Sequence, residues 1–226
     1  MLRLSFGAWE VAFSECADGD LRVSARSQDA PPLEEVQLRI LGALGVAGAV
    51  VAHQVHGAEV LTVAQPPAGY AVGFGQADGV ATTLPGVAAA VHVADCVPVA
   101  VGGAGAVAML HCGWRGLDGG IVAAGVAQLR RLGVEGQLAA AIGPGVGGCC
   151  YETGEEVRER FSAYAASAGR LLDLKAVARA QLREEGVELV EDVGVCTMCS
   201  TPGRLYSHRR DGASCGRQGG FAWLRA

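Results

Sequence analysis

The sequence predicts a single mixed α/β domain, and three observations lead to it. The 226 residues are half apolar and 18% charged, a composition that buries a sizeable core and excludes general disorder. Short apolar runs of strand character trade places along the chain with runs whose apolar residues recur at helical spacing. No internal repeat or low-complexity linker breaks this order. The weakest candidate boundary, the Pro/Gly-rich stretch from Ala68 to Gly75, is short, so residues 1–226 read as one domain.

Taken in order, Ala8 to Ser14 and Leu21 to Ala25 read as paired strands around Cys16 to Asp20. Asp29 and Pro31-Pro32 open a helix with Leu33, Val36, Ile40, Leu41 and Leu44 on one face, because a first turn tolerates the missing N–H of proline. Ala49 to Val55 and Glu59 to Val63 read as strands joined across His56-Gly57. Val87 to Leu110 is long enough to span a bilayer, but His92 and Asp95 near its middle are costly there. Gly102-Gly103-Ala104-Gly105 adds a turn signal, so the stretch reads as strand, Asp-Cys corner, strand, turn, strand. Gly119 to Leu132 reads as a helix stopped by Gly133, and Gln137 to Ile142 as a strand running into Gly143-Pro144-Gly145. Gly154 to Ala168 is expected to be helical, with Val157, Phe161 and Tyr164 on one side. Asp173 caps a helix carrying Leu174, Val177, Ala178 and Leu182 that ends before Gly186. Val187 to Val195, Leu205 to His208 and Phe221 to Leu224 read as the last strands.

A net charge of -5 argues against a nucleic-acid binder with a basic face, and 5% aromatic residues against a base-stacking platform. Positive charge is almost all arginine: Lys175 stands alone beside 17 Arg, and there is no Asn. Eight Cys accompany five His. Glu10 and Glu15 interrupt the first apolar run, so no export signal is read and the expected compartment is the cytosol, where thiols stay reduced. The cysteines are then core fillers, metal ligands or nucleophiles.

Five segments carry chemistry-bearing residues. In His53-Gln54-Val55-His56-Gly57, strand residues three apart point to opposite faces, so both histidines cannot aim at one centre from regular β structure. A turn at Gly57 would place His56 at a strand end. In Ala94-Asp95-Cys96-Val97-Pro98, Pro98 marks an edge or bulge. Cys96 taken alone is a small buried hydrophobe, but Asp95 in apolar surroundings needs a donor, a metal or a proton. In His111-Cys112-Gly113-Trp114-Arg115-Gly116, a strand delivers His111 to its end. A tight loop then offers Trp114 as a wall and Arg115 as a phosphate ligand, or else a capped turn with a surface Arg. The Gly-rich segment from Ala141 to Glu152 can present backbone N–H groups to an anion, without the Lys-Ser/Thr of a P-loop. Cys196-Thr197-Met198-Cys199 is one CxxC and weak evidence for zinc, so Cys149, Cys150, Cys196, Cys199 and Cys215 read as buried or loop thiols. Arg209 and Arg210 beside Asp211 mark an anion site or a solvated turn. Cys and His at the ends of neighbouring strands allow a zinc site of His56, Cys96 and His111 with an open fourth position, where water becomes acidic near neutral pH.

Gln54-Val55-His56-Gly57, Ala77-Asp78-Gly79, Ala94-Asp95-Cys96-Val97-Pro98-Val99, His111-x-Gly113-Trp114-Arg115-Gly116, Ile142-Gly143-Pro144 and Ser207-x-Arg209-Arg210-Asp211 occur in one order. This set, running from about Val51 to the C-terminus, resembles the YfiH/YlmD family, long labelled polyphenol oxidase or laccase domain and regarded as purine nucleoside-processing enzymes. The resemblance implies an α/β (α+β) layered sandwich with mixed β-sheets, related to the catalytic fold of cytotoxic necrotizing factor toxins. It implies zinc held by His56, Cys96 and His111, with copper following only from the older label. It also implies adenosine deamination and phosphorolysis of adenosine, inosine and methylthioadenosine, so the expected partners are purine nucleosides and phosphate, with no nucleic acid or membrane. Asp95 or another acid near the metal is the expected proton carrier; Arg115, Arg209 and Arg210 are expected on phosphate, with Trp114 as a wall.

Residues 1–50 look shortened or divergent against the family. Ser14 to Gly19 stands where the family has Ser-Thr-Arg-x-Gly-Gly, so if that arginine contacts phosphate or substrate, either Arg22 or Arg26 substitutes for it or the activity is weakened. Val93, Cys112 and His53 stand where Thr, Ala and Gln or Glu are usual. Three rivals remain. One is a cysteine hydrolase or amidase using Cys96 and His111. Another is a copper-dependent polyphenol oxidase, for which five His are too few to fill several copper sites. The third is a non-catalytic binding domain with a closed zinc site that recruits Cys112.

Overall fold

The computed structural model describes residues 1–23 and 31–226. Strands β1 (Leu2–Ser5) and β2 (Trp9–Phe13) precede helix α1 (Leu33–Leu44) and strands β3 (Gly48–His53), β4 (Val60–Val63), β5 (Tyr70–Gln76) and β6 (Gly79–Thr82). Three longer strands follow, β7 (Val87–Val93), β8 (Val97–Gly103) and β9 (Ala106–Cys112), then α2 (Trp114–Asp118), α3 (Ile121–Arg131) and β10 (Ala139–Ile142). The last part holds α4 (Glu155–Arg160), a short hairpin of β11 (Ser167–Ala168) and β12 (Leu171–Leu172), α5 (Leu174–Glu184), β13 (Leu189–Asp192), α6 (His208–Asp211) and β14 (Gln218–Leu224).

Two six-stranded mixed sheets stack face to face, in the orders β1-β2-β14-β7-β3-β5 and β13-β10-β8-β9-β6-β4. Side chains alternate across each strand. Val50, Ala89 and Val91 of the first sheet meet Val80, Val107 and Met109 of the second. On the first sheet's other face, Ala49, Val51, Ala88 and Phe221 pack under Ile40 and Leu44 of α1. On the second sheet's other face, Val99, Ala108 and Leu110 pack under Leu117, Ile121, Leu129 and Val177 of α2, α3 and α5. Strands covered on both faces are apolar throughout, which is why Val87 to Leu110 resembled a membrane span. Among the described residues, no helix is long and apolar enough to cross a membrane. The sheets touch closely at Gly220, where a Cβ would lie 2.9 Å from that of Pro98 and 3.1 Å from the Met109 sulfur.

Several local expectations are corrected. β2 pairs with β1 and β14, and Leu21 is a buried residue of an irregular segment; Ala25 and Asp29 lie outside the described residues. The strands expected on either side of His56-Gly57 are β3 and β4, and the chain crosses from one sheet to the other between them. Ala68 to Gly75, the weakest candidate boundary, supplies the edge strand β5. The helix expected from Gly119 to Leu132 is α3, which starts at Ile121 because Gly120 has φ 83°; ahead of it, Trp114 and Arg115 begin the short helix α2 and not a tight loop. The Gly154 to Ala168 helix stops at Arg160, and a 3-10 turn over Ser162–Tyr164 ends at Ala165 in the left-handed region with φ 49°. Leu205 to His208 is not a strand. Ser207 caps α6 by accepting from the Arg210 N–H, a role its hydroxyl fills better than a ladder position.

Candidate active site

Asp78 at the head of β6 organises the site. It is fully buried and accepts the backbone N–H groups of Val55, His56 and Gly57 at 3.1, 2.9 and 2.6 Å. These bonds hold His56 in the left-handed region, φ 62°, a conformation unfavourable for a residue with a Cβ. Asp78 also binds His111 Nδ1 at 2.7 Å, leaving Nε2 to face the centre. Burial alone would raise the Asp78 carboxyl, but the His111 bond, its charge and the backbone N–H donors together hold it below the usual range. Sequence pattern alone assigns Asp78 of Ala77-Asp78-Gly79 no role. A lone carboxylate entering an apolar strand is the available signal, because a metal-binding histidine nearly always donates its second nitrogen to a carboxylate, a carbonyl or water.

His56, Cys96 and His111 come together at one centre. Each offers one ligand atom, and these lie within 4.8 Å of one another. The imidazoles meet edge to face with centroids 4.8 Å apart, and Cys96 Sγ is 3.9 Å from His56 Nε2. Burial pushes the Cys96 thiol up, but the His111 charge and bonds from both histidines outweigh it and bring it down to about 6. Burial depresses His111, while the Cys96 charge and Asp78 raise it to about 9. Gly113 keeps this space open: a Cβ there would lie 3.1 Å from Cys96 Sγ and 3.2 Å from His56 Cδ2. Two imidazoles and one thiolate suit a single borderline-soft ion with an open position. They do not suit a multi-copper array. Of the other histidines, His53 is exposed at the end of β3, His92 is bonded to Tyr70 and His208 begins α6. Cys112 cannot close the centre, because it follows His111 on β9 and points into the core under the helices.

The centre opens into a cavity of about 610 Å³ whose lining includes Trp114, Arg115, Tyr151, Arg209, Arg217 and Arg22. The Arg115 guanidinium lies 4.3 Å from the Trp114 ring and that of Arg209 4.5 Å from the Tyr151 ring. Among the described residues neither guanidinium forms an ion pair. Arg22 thus reaches the cavity; Arg26 lies outside the described residues. His92 also lines it and stays neutral, with burial and the Arg217 charge bringing it down to about 4.

Asp95 borders the cavity, and each of its carboxylate oxygens accepts one hydrogen bond. Thr197 Oγ1 donates to it at 2.6 Å and the Arg209 backbone N–H at 2.8 Å, while its carbonyl accepts from Val146 at 2.8 Å. Its φ of 85° is held by these three loops. Asp95 thus ties the loops that carry Thr197 and Arg209 to the edge of the cavity. Arg210, by contrast, does not line the cavity. It forms a two-pronged pair with Asp211 at 2.7 Å for both contacts and donates to the carbonyls of Thr197 and Leu205.

The family model described as multi-copper polyphenol oxidoreductase laccase matches residues 13–225. A Deinococcus radiodurans protein named purine nucleoside phosphorylase is 37% identical over 209 residues, covering 87% of this chain and 79% of its own. Among solved structures, a Bacillus licheniformis hypothetical protein YfiH superposes with a TM-score of 0.83 at 24% identity, over 96% of this chain and 93% of that one. YlmD from Geobacillus stearothermophilus gives 0.79 at 27% identity, over 98% and 93%.

Proposed function

This chain belongs to the YfiH/YlmD family, the one described as multi-copper polyphenol oxidoreductase laccase, and from that premise we propose that it is a zinc-dependent purine nucleoside enzyme. It phosphorolyses adenosine, inosine and methylthioadenosine and deaminates adenosine. The observation that carries this is the joining of a three-ligand centre to a cavity lined by arginines. A cationic cavity suits an anionic co-substrate, and relatives named purine nucleoside phosphorylase support phosphate as that anion.

His56, Cys96 and His111 would hold the ion, which would supply Lewis acidity. Asp78 engages His111 Nδ1, so that Nε2 would be the nitrogen offered to the ion. The planar guanidinium groups of Arg115 and Arg209, steadied on Trp114 and Tyr151, grip phosphate oxygens in pairs. In phosphorolysis a phosphate oxygen bonds to C1′ of the ribose as the C1′–N9 bond breaks, and the purine leaves with the electron pair and takes up a proton. In deamination water adds at C6 and ammonia departs. Asp95 keeps Arg209 facing the cavity through its backbone.

Zinc-loaded protein given adenosine is expected to release inosine without phosphate, and adenine, hypoxanthine and ribose 1-phosphate only with phosphate, as chromatography would read. Cys96→Ala should abolish both. No turnover by the zinc-loaded protein, with Cys96→Ala indistinguishable from it, would overturn the proposal.

One observation favours a thiol hydrolase: Cys96, His111 and Asp78 also form a thiol–imidazole–carboxylate relay. In metal-free protein, Cys96 is a thiolate above about pH 6 and His111 an imidazolium below about pH 9. Alkylation of Cys96 by iodoacetamide should therefore be rapid at pH 7 and slow as pH falls through about 6, where the thiolate is protonated. Zinc should protect it. Amidase activity confined to the metal-free protein and lost on alkylation would establish the thiol as nucleophile in place of the metal.

A further inference from the structure

We propose a second metal site, a tetrathiolate built from Cys149, Cys150, Cys196 and Cys199, that takes one zinc-class ion and braces the wall of the cavity. The four sulfurs lie within 4.8 Å of one another, with contacts of 3.4 Å (Cys150–Cys196), 3.5 Å (Cys150–Cys199), 3.6 Å (Cys149–Cys199) and 3.8 Å (Cys149–Cys150). At a Zn–S distance of about 2.3 Å, a regular tetrahedron has edges of about 3.8 Å. The sulfurs already sit at the spacing one ion imposes, and too close together for a multi-iron cluster between them. None of the four is in a disulfide.

Each half of the site is a tight backbone turn. Cys150 and Tyr151 donate their N–H groups to the Gly147 carbonyl, which brings the adjacent thiols of Cys149 and Cys150 to one side. Ser200 N–H bonds the Cys196 carbonyl at 3.0 Å, closing the Cys-x-x-Cys turn. The Gly147 N–H points at Cys196 Sγ, 3.2 Å away, and a backbone bond from Cys199 falls on the same sulfur. N–H groups aimed at sulfur stabilise a thiolate ligand. Gly147 must lack a side chain for this approach, since a Cβ would lie 3.1 Å from Cys149 Sγ.

Within the Cys-x-x-Cys turn, Thr197 donates to Asp95. Directly after Cys150, Tyr151 carries the Arg209 guanidinium. An ion binding all four sulfurs ties these two loops, 46 to 50 residues apart in the chain, into one wall. It touches none of His56, Cys96 and His111.

The test uses the whole chain and zinc or cobalt alone. Native protein is expected to bind two equivalents of zinc. Cys96→Ala should keep one, with X-ray absorption showing four sulfurs at about 2.3 Å and cobalt showing the intense visible bands of a tetrathiolate. A Cys149→Ser/Cys199→Ser variant should lose those bands and one equivalent, and unfold at a lower temperature. The Cys96→Ala spectrum stands even if that double variant fails to fold. A Cys96→Ala protein that folds but binds no metal overturns the proposal, as does a mixed sulfur–nitrogen shell or a disulfide found by mass among the four cysteines.

Discussion

Asp78→Asn is expected to strip the ion from His56, Cys96 and His111 at chelator concentrations that leave the native protein loaded. Four N–H donors converge on the two oxygens of this buried carboxylate. An amide keeps the shape but turns an NH2 toward one of those donors and removes the charge that steadies His111. Loss of such an outer partner typically weakens metal affinity by about 10–100-fold. Removing one member of a buried charged pair costs about 3–5 kcal/mol, so the midpoint of thermal unfolding should also fall. Chelator competition followed by calorimetry separates the two effects. Unchanged zinc affinity would show that Asp78 only shapes the His56 turn.

Arg209→Gln is expected to divide the two activities. Its backbone N–H remains to hold Asp95, so the wall keeps its shape while the guanidinium over Tyr151 is lost. Charge-assisted hydrogen bonds are worth about 1.5–3 kcal/mol each. Loss of a two-pronged phosphate contact should then lower kcat/KM for phosphate by about 100-fold, or about 2.7 kcal/mol. Deamination, which uses no phosphate, should stay within about threefold. Equal losses in both reactions would assign Arg209 to shaping the wall and not to phosphate.

Local pattern decided much of what the sequence made legible. Residues at spacings of two and four show which faces are buried, and a Gly or Pro shows where a strand must end. Hence one mixed α/β domain, the three strands of Val87 to Leu110, and His56, Cys96 and His111 at strand ends could all be read without coordinates. The helix expected from Gly154 to Ala168 failed because apolar residues at helical spacing also serve a short helix followed by a turn that packs on the same core.

Tertiary structure alone decided which side chains meet across long stretches of chain. Asp78 lies 33 residues from His111, Asp95 lies 102 from Thr197 and 114 from Arg209, and Cys150 lies 46 from Cys196. No period in the sequence encodes such distances, because they are set by how two sheets stack and where their connecting loops land. So Asp95, legible as a carboxylate in need of a partner, found neutral donors and not a metal. Arg210, legible as a cation, found Asp211 and carbonyls. One Cys-x-x-Cys, weak evidence by itself, acquired its second pair of sulfurs only when the fold carried Cys149 and Cys150 to it.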